Sequence, residues 1–195
     1  SLRNGQIVFL KGENGSGKTT LLQLIAGMIP HFRKGNVLRG NIFINNTSIF
    51  ENPPQYFFPH IAYIPSSHID FFLLNESLNE DISLIKSICA LTKKEVAKRT
   101  IQFEEYFQEF TLLKKMPYKL MNFQQKATSL LFIYYLQDAS LFLIDEIFST
   151  DAEFDKCLQF LNFLTSLNKS IIIVSHQIYN KNIRIWEIKN RTINF

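Results

Sequence analysis

The chain has 195 residues, 46% of them hydrophobic, and its 21 Lys and Arg outweigh 17 Asp and Glu for a formal net charge of +4. That length suits one domain with a sizeable core and excludes two of ordinary size. A membrane-spanning helix needs roughly 20 apolar residues, and the greasiest stretch, residues 130–144, is broken by Gln137 and Asp138. The basic residues are dispersed without a block, so the charge reads as a solvated surface and no nucleic-acid partner is expected. Cys89 and Cys157 stand in no metal or redox spacing and read as core thiols in a reducing compartment. Neither a secretory signal nor an initiating Met precedes the first apolar run, and the expectation is a fragment of a longer chain.

In chain order, residues 6–10 form a short apolar strand that runs into a Gly-rich turn. Leu21, Leu22, Leu24, Ile25 and Met28 then give helical spacing over residues 19–29, with Pro30 as the stop. Residues 35–44 read as a turn feeding a strand through Ile42, Phe43 and Ile44. Asn52-Pro53-Pro54 marks a loop before a strand at residues 61–64, closed by Pro65. Residues 75–113 read as helical, with a capping box at Thr92 and Glu95 and Val96, Phe103, Phe107 and Phe110 on one face. A helix over about 123–137 precedes the apolar strand 141–144, which ends at Asp145-Glu146. Thr150 with Glu153 matches a second capping box, opening a helix through Phe154, Leu158, Leu161 and Leu164 that leads to a strand at 171–174. Residues 183–188 and 192–195 read as a closing pair of strands around Lys189-Asn190. Alternating helices and short buried strands, with Gly12-Glu13-Asn14-Gly15-Ser16-Gly17-Lys18-Thr19 between the first strand and the first helix, predict an α/β fold of the P-loop NTPase type: a mostly parallel sheet flanked by helices, with a helical insertion at about 75–125.

The loop Gly12-Glu13-Asn14-Gly15-Ser16-Gly17-Lys18-Thr19 sits between strand and helix, the setting in which such a loop binds phosphate. Its glycines let successive N–H groups turn inward, and the helix that follows aims its positive end at the same anion. Asn14, Gly15, Ser16, Gly17, Lys18, Thr19 and Thr20 are therefore the candidate ATP contacts, with Lys18 on the terminal phosphates. A carboxylate ending a buried strand is expensive without a cation, so Asp145 and the Thr19 hydroxyl are the candidate Mg²⁺ ligands. Glu146, pointing across the pleat from Asp145, is the candidate for activating water, and His176, after the strand 171–174, is the second candidate catalytic residue.

Taken together, Gly12-Glu13-Asn14-Gly15-Ser16-Gly17-Lys18-Thr19-Thr20, Leu141-Phe142-Leu143-Ile144-Asp145-Glu146 and Val174-Ser175-His176 resemble the ATPase domain of ABC transporters over essentially the whole chain. Met28-Ile29-Pro30-His31-Phe32, Gly35 and Gly40-Asn41-Ile42 look more narrowly like the ATPases of energy-coupling-factor importers. The resemblance implies a peripheral subunit on the cytoplasmic face of the cell membrane, energising transmembrane transporter subunits. It implies that Thr19 and Asp145 hold magnesium, Glu146 polarises water and His176 senses the γ-phosphate. It further implies a head-to-tail dimer, in which each ATP lies between one phosphate loop and the partner's signature segment.

The chain departs from the family's pattern in several places. The signature, Leu-Ser-Gly-Gly-Gln in the family, falls at Met121-Asn122-Phe123-Gln124-Gln125 without either glycine. The glutamine expected after the strand 61–64 is Ser66, too short to reach magnesium and a membrane subunit in the same way. The aromatic residue that stacks on adenine would lie upstream of residue 1, and Ile147-Phe148-Ser149-Thr150-Asp151 replaces the usual Pro-Thr-Ser pattern. An ATPase subunit of an importer follows as the expectation, with a heterodimer favoured over a homodimer because this chain offers a poor signature. A non-hydrolysing ATP-binding subunit and an ABC-type ATPase outside transport are the alternatives.

Overall fold

The computed structural model describes residues 1–29, 40–44, 46–147, 150–175, 184–189 and 192–194. In chain order these form β1 (Ile7–Gly12), α1 (Lys18–Ile25), β2 (Phe43–Ile44), β3 (Thr47–Ser48), β4 (Ile61–Ile64), α2 (Leu78–Ile88), α3 (Lys93–Glu104) and α4 (Phe110–Leu113). There follow α5 (Phe123–Leu136), β5 (Leu141–Asp145), α6 (Asp151–Ser166), β6 (Ser170–Val174), β7 (Arg184–Lys189) and β8 (Thr192–Asn194). The main sheet has six strands in the order β4-β5-β6-β1-β7-β8; its first five strands are parallel and β8 is antiparallel to β7.

The apolar runs at 141–144 and 171–174 take the interior of this sheet because every residue in them is buried. Side chains alternate between the two faces. Phe9, Phe142, Ile144, Ile171 and Ile173 pack toward α5 and α6, while Val8, Leu10, Leu143, Ile172 and Val174 join Leu22 and Ile25 of α1. The register levels the carboxyl ends of three strands, with Val174 of β6 opposite both Leu10 of β1 and Asp145 of β5. The loop after β1 therefore opens one strand away from Asp145.

Helix α1 is shorter than its apolar spacing suggests. Gly27, at φ 69°, donates to the Leu24 carbonyl at 3.0 Å, and the Met28 N–H donates to the Gln23 carbonyl at 2.9 Å. That pair of bonds closes a helix around a left-handed glycine, so Gly27 is the stop, whereas Pro30, His31, Phe32 and Gly35 lie outside the described residues.

The helices between β4 and β5 share an aromatic core. Phe103 is fully buried, with ring centroids 4.5 to 5.1 Å from those of Phe107, Phe110, Phe132 and Phe160. The capping box at Thr92 and Glu95 is present, and two more open α2 at Ser77 and Glu80 and α5 at Asn122 and Gln125. Asp81, also buried, accepts from Asn75 Nδ2 at 2.7 Å and from the Tyr118 hydroxyl at 2.8 Å. Burial and the Asp81 charge push the Tyr118 hydroxyl well above its ordinary pKa. With the Ser77–Pro117 bridge, this network fastens the segment entering α2 to the one entering α5. Cys157 is buried as expected, whereas Cys89 is only partly buried at the end of α2. No helix among the described residues is long and apolar enough to cross a membrane.

Candidate nucleotide site

Gly17 caps α1 in the left-handed region at φ 101°, and Gly15 stands at φ 76°. A Cβ on either would meet nothing within 4 Å, so the loop is held open by conformation rather than by crowding. Ser16 donates its N–H to the Glu13 carbonyl at 3.1 Å, while its hydroxyl is buried with no partner among the described residues. A buried orphan hydroxyl in a glycine-rich loop at a helix N-terminus suits an anionic ligand. Lys18, buried on the first turn of α1, donates through Nζ to the carbonyls of Gly12 at 2.8 Å and Glu13 at 3.2 Å. The loop thus wraps a cation. A cleft of about 540 Å³ extends from it, lined by Asn14, Ser16, Lys18, Ser175, Glu187 and Lys189 among others. Thr20 stands exposed on the next position of α1.

Asp145 ends β5 with 1% of its surface exposed. The Ser66 hydroxyl donates to its Oδ2 at 3.0 Å, and the Thr19 hydroxyl donates to the same carboxylate. Burial raises the Asp145 pKa and the neighbouring Glu146 charge adds to that, while the two hydroxyls and Lys18 pull the other way. The Asp145 carboxylate and the Thr19 hydroxyl are an all-oxygen pair, and Mg²⁺ takes one or two carboxylates and fills its remaining positions with phosphate and water. The residues present therefore fit Mg²⁺.

Glu146 reaches this site by a different route from the one its place after an apolar strand suggests. The strand ends at Asp145, and Glu146 takes a left-handed backbone at φ 48° while its N–H donates to the Val174 carbonyl at 3.2 Å. Its carboxylate comes 3.8 Å from Lys18 Nζ. A turn, not the pleat, brings Glu146 beside the phosphate loop. A non-Gly residue held in that region costs on the order of 1 kcal/mol and is often found at functional sites.

The structure thus gathers Lys18, Thr19, Asp145 and Glu146, while His176 lies outside the described residues. Ser66 is the contributor that sequence reading undervalued, because the sheet order that sets β4 beside the acidic strand is not written in the sequence. Asn122-Phe123-Gln124-Gln125 opens α5, with the Asn122 side chain accepting from the Gln125 N–H at 2.9 Å. Gln124 Nε2 donates to Glu153 Oε2 at 3.0 Å. Thr150 accepts from the Glu153 N–H at 3.3 Å, so that cap forms on the hydroxyl side while the Glu153 carboxylate turns to Gln124.

A strand, a glycine loop around a buried lysine, a helix, and an acidic strand two places away in the sheet, across β6, define a P-loop nucleotide-binding α/β domain. The ABC transporter family model matches residues 1–149, and the chain belongs to that family. It is 27% identical over 197 residues to the energy-coupling factor transporter ATP-binding protein of Thermotoga maritima, an alignment covering 98% of this chain and 71% of the relative. Against the cytochrome c biogenesis ATP-binding export protein of Reclinomonas americana it is 38% identical over 85 residues, 44% of this chain and 31% of the relative. The solved structure of cbiO1 from Clostridium perfringens, part of the ABC transporter complex cbiONQ, shares the fold with a TM-score of 0.76 at 19% identity, covering 100% of this chain and 78% of that one. The chain spans between 31% and 71% of the length of four curated relatives it matches.

Proposed function

We propose that this chain binds ATP with Mg²⁺ and hydrolyses it to energise a membrane transporter of the import type, working as half of a dimer. The observation that carries the reading is the convergence of Lys18, Thr19, Asp145 and Glu146 at the open mouth of the phosphate loop. The amides of Asn14, Gly15, Ser16 and Gly17 hold the phosphates, with Thr20 at their edge, and Lys18 balances the terminal ones. Thr19 and Asp145 hold Mg²⁺, which when bound offsets charge building on the transferred phosphoryl group. Glu146 takes a proton from the attacking water as its oxygen bonds the γ-phosphorus and ADP departs. His176, two positions after β6 in the sequence, is the group assigned to the γ-phosphate.

The import reading is supported by the near full-length match to the energy-coupling factor relative. In the same reading the chain is a single ATP-binding domain, its segment 75–125 a helical insertion on the core. It sits on the cytoplasmic face of a membrane against transmembrane subunits and beside a second ATPase subunit. The Gln124 to Glu153 bond favours an asymmetric heterodimer. It puts a carboxylate where the family's signature offers bare glycine amides, which suits a partner that supplies the better signature. The same bond also supports a second reading, a subunit that binds ATP without hydrolysing it.

The test is ATP turnover by the purified chain, alone and with candidate partner subunits, comparing native with Glu146→Gln. Turnover that appears with partners and falls about a hundredfold or more in the variant, with nucleotide still bound, is the expected result. Binding with turnover indifferent to Glu146 overturns the hydrolytic reading and favours the second.

A further inference from the structure

We propose that Ser66 is a positioning residue for the Asp145 carboxylate, setting this chain's affinity for the metal that accompanies nucleotide. The proposal rests on the ATP and Mg²⁺ reading above. Strands β4 and β5 are parallel neighbours with Ile64 opposite Ile144, so their carboxyl ends are level. At a strand spacing of about 4.8 Å, a side chain just beyond the end of β4 needs only one or two bonds to touch Asp145. Serine has that length, and its hydroxyl donates to Oδ2 at 3.0 Å. A longer side chain at this position would reach past the carboxylate instead of gripping it.

The Ser66 backbone is held from both sides. Before it, β4 and Pro65 are buried. After it, Asp70 in the turn Ile69–Phe72 pairs with Lys126 of α5 at 2.6 Å, and Phe72 packs edge-on against Tyr63 with ring centroids 5.6 Å apart. Thr19 grips the same carboxylate from α1. Two hydroxyl donors on separate elements fix the rotation of the carboxylate plane, which a single donor leaves loose. A ligand oriented by such outer partners binds metal more tightly, and losing one partner typically costs 10- to 100-fold in metal affinity. Ser66 is itself exposed, and among the described residues its hydroxyl bonds Asp145 alone.

The experiment is thermal stabilisation by a non-hydrolysable ATP analogue, titrated with Mg²⁺, on the full chain and on Ser66→Ala and Ser66→Thr. Ser66→Ala is expected to raise the Mg²⁺ concentration for half-maximal stabilisation about tenfold while leaving analogue binding in EDTA unchanged, and to lower the melting point without ligand, since it strips one donor from the buried Asp145 carboxylate. Ser66→Thr, which keeps the hydroxyl, returns the Mg²⁺ requirement to near the native value. That rescue separates orientation of Asp145 from a general loosening of the loop. A folded Ser66→Ala protein with the native Mg²⁺ requirement overturns the proposal and leaves the ATP reading standing. A native chain that gains no stability from the analogue at any Mg²⁺ concentration overturns both.

Discussion

Replacing Asp145 by Asn is expected to stabilise the ligand-free protein while weakening its response to nucleotide. Asp145 is 1% exposed, and its carboxylate faces two hydroxyls while the nearest cation, Lys18, is engaged by backbone carbonyls. Burying a carboxylate without a direct cation costs several kcal/mol before its hydrogen bonds are counted. The raised pKa shows that hydroxyls and Lys18 together do not recover all of it. Asn matches the shape of Asp and keeps an acceptor for Ser66, so removing the charge should add about 1 to 2 kcal/mol, or roughly 2 to 8 °C for a chain of this size. The sign with pH follows from linkage. A carboxyl whose folded pKa is raised binds its proton more readily when folded, so the native protein loses stability as pH climbs from the ordinary value of 3.8 through the higher folded one. The advantage of Asp145→Asn should therefore vanish in acid and grow to a plateau above that window. Thermal melts across pH without ligand measure it directly. With Mg²⁺ and an ATP analogue the order should reverse, since saturating ligand at a hundred times its Kd adds about 2.7 kcal/mol to the native protein and less to the variant. A ligand-free variant less stable than native at neutral pH, or a difference independent of pH, would refute the reasoning.

Gly17→Ala puts a methyl group into open space at φ 101°, so its cost is conformational, on the order of 1 to 2 kcal/mol, and falls on the loop that receives phosphate. Calorimetry should show ATP affinity down by about tenfold or more with helical content intact; native affinity would mean the loop does not cradle the phosphates. Tyr118→Phe strips one donor from the buried Asp81 and should cost about 1 to 3 kcal/mol, read from the midpoint of urea unfolding. An unchanged midpoint would mean the hydroxyl does not fasten α2 to the segment before α5.

What was legible in the sequence is what depends on near neighbours. The phosphate loop is contiguous, its glycines and lysine act within one turn of chain, and the structure forms it between β1 and α1. The runs at 141–144 and 171–174 announce buried parallel strands because they are apolar at every position, a pattern a sheet with one wet face does not produce. The stop of α1 was misplaced because Pro30 is the louder signal, although Gly27 has the geometry that closes a helix. The capping box at Ser77 and Glu80 escaped notice in a long polar segment, though it follows the same spacing as Thr92 and Glu95.

The rest was hidden because it is made across the sheet. Ser66 reads as inadequate beside the longer side chain the family carries there, since that comparison assumes that the residue must span a distance. Once β4 and β5 are known to be adjacent and level, the distance is gone, and a short hydroxyl becomes the side chain that fits. Glu146 shows the converse. It was expected to face water across the pleat from Asp145, whereas a left-handed backbone after the strand brings its carboxylate to 3.8 Å from Lys18. Gln124 and Glu153 belong together for the same kind of reason: α5 and α6 flank β5 in sequence, and their first turns meet because both helices pack on the same face of the sheet. Two of these contacts hold Asp145 from different elements, Ser66 from the segment after β4 and Thr19 from α1, whereas the Gln124–Glu153 bond ties α5 to α6, so a change at Ser66 or Thr19 should be felt at the Asp145 carboxylate before it is felt in the core.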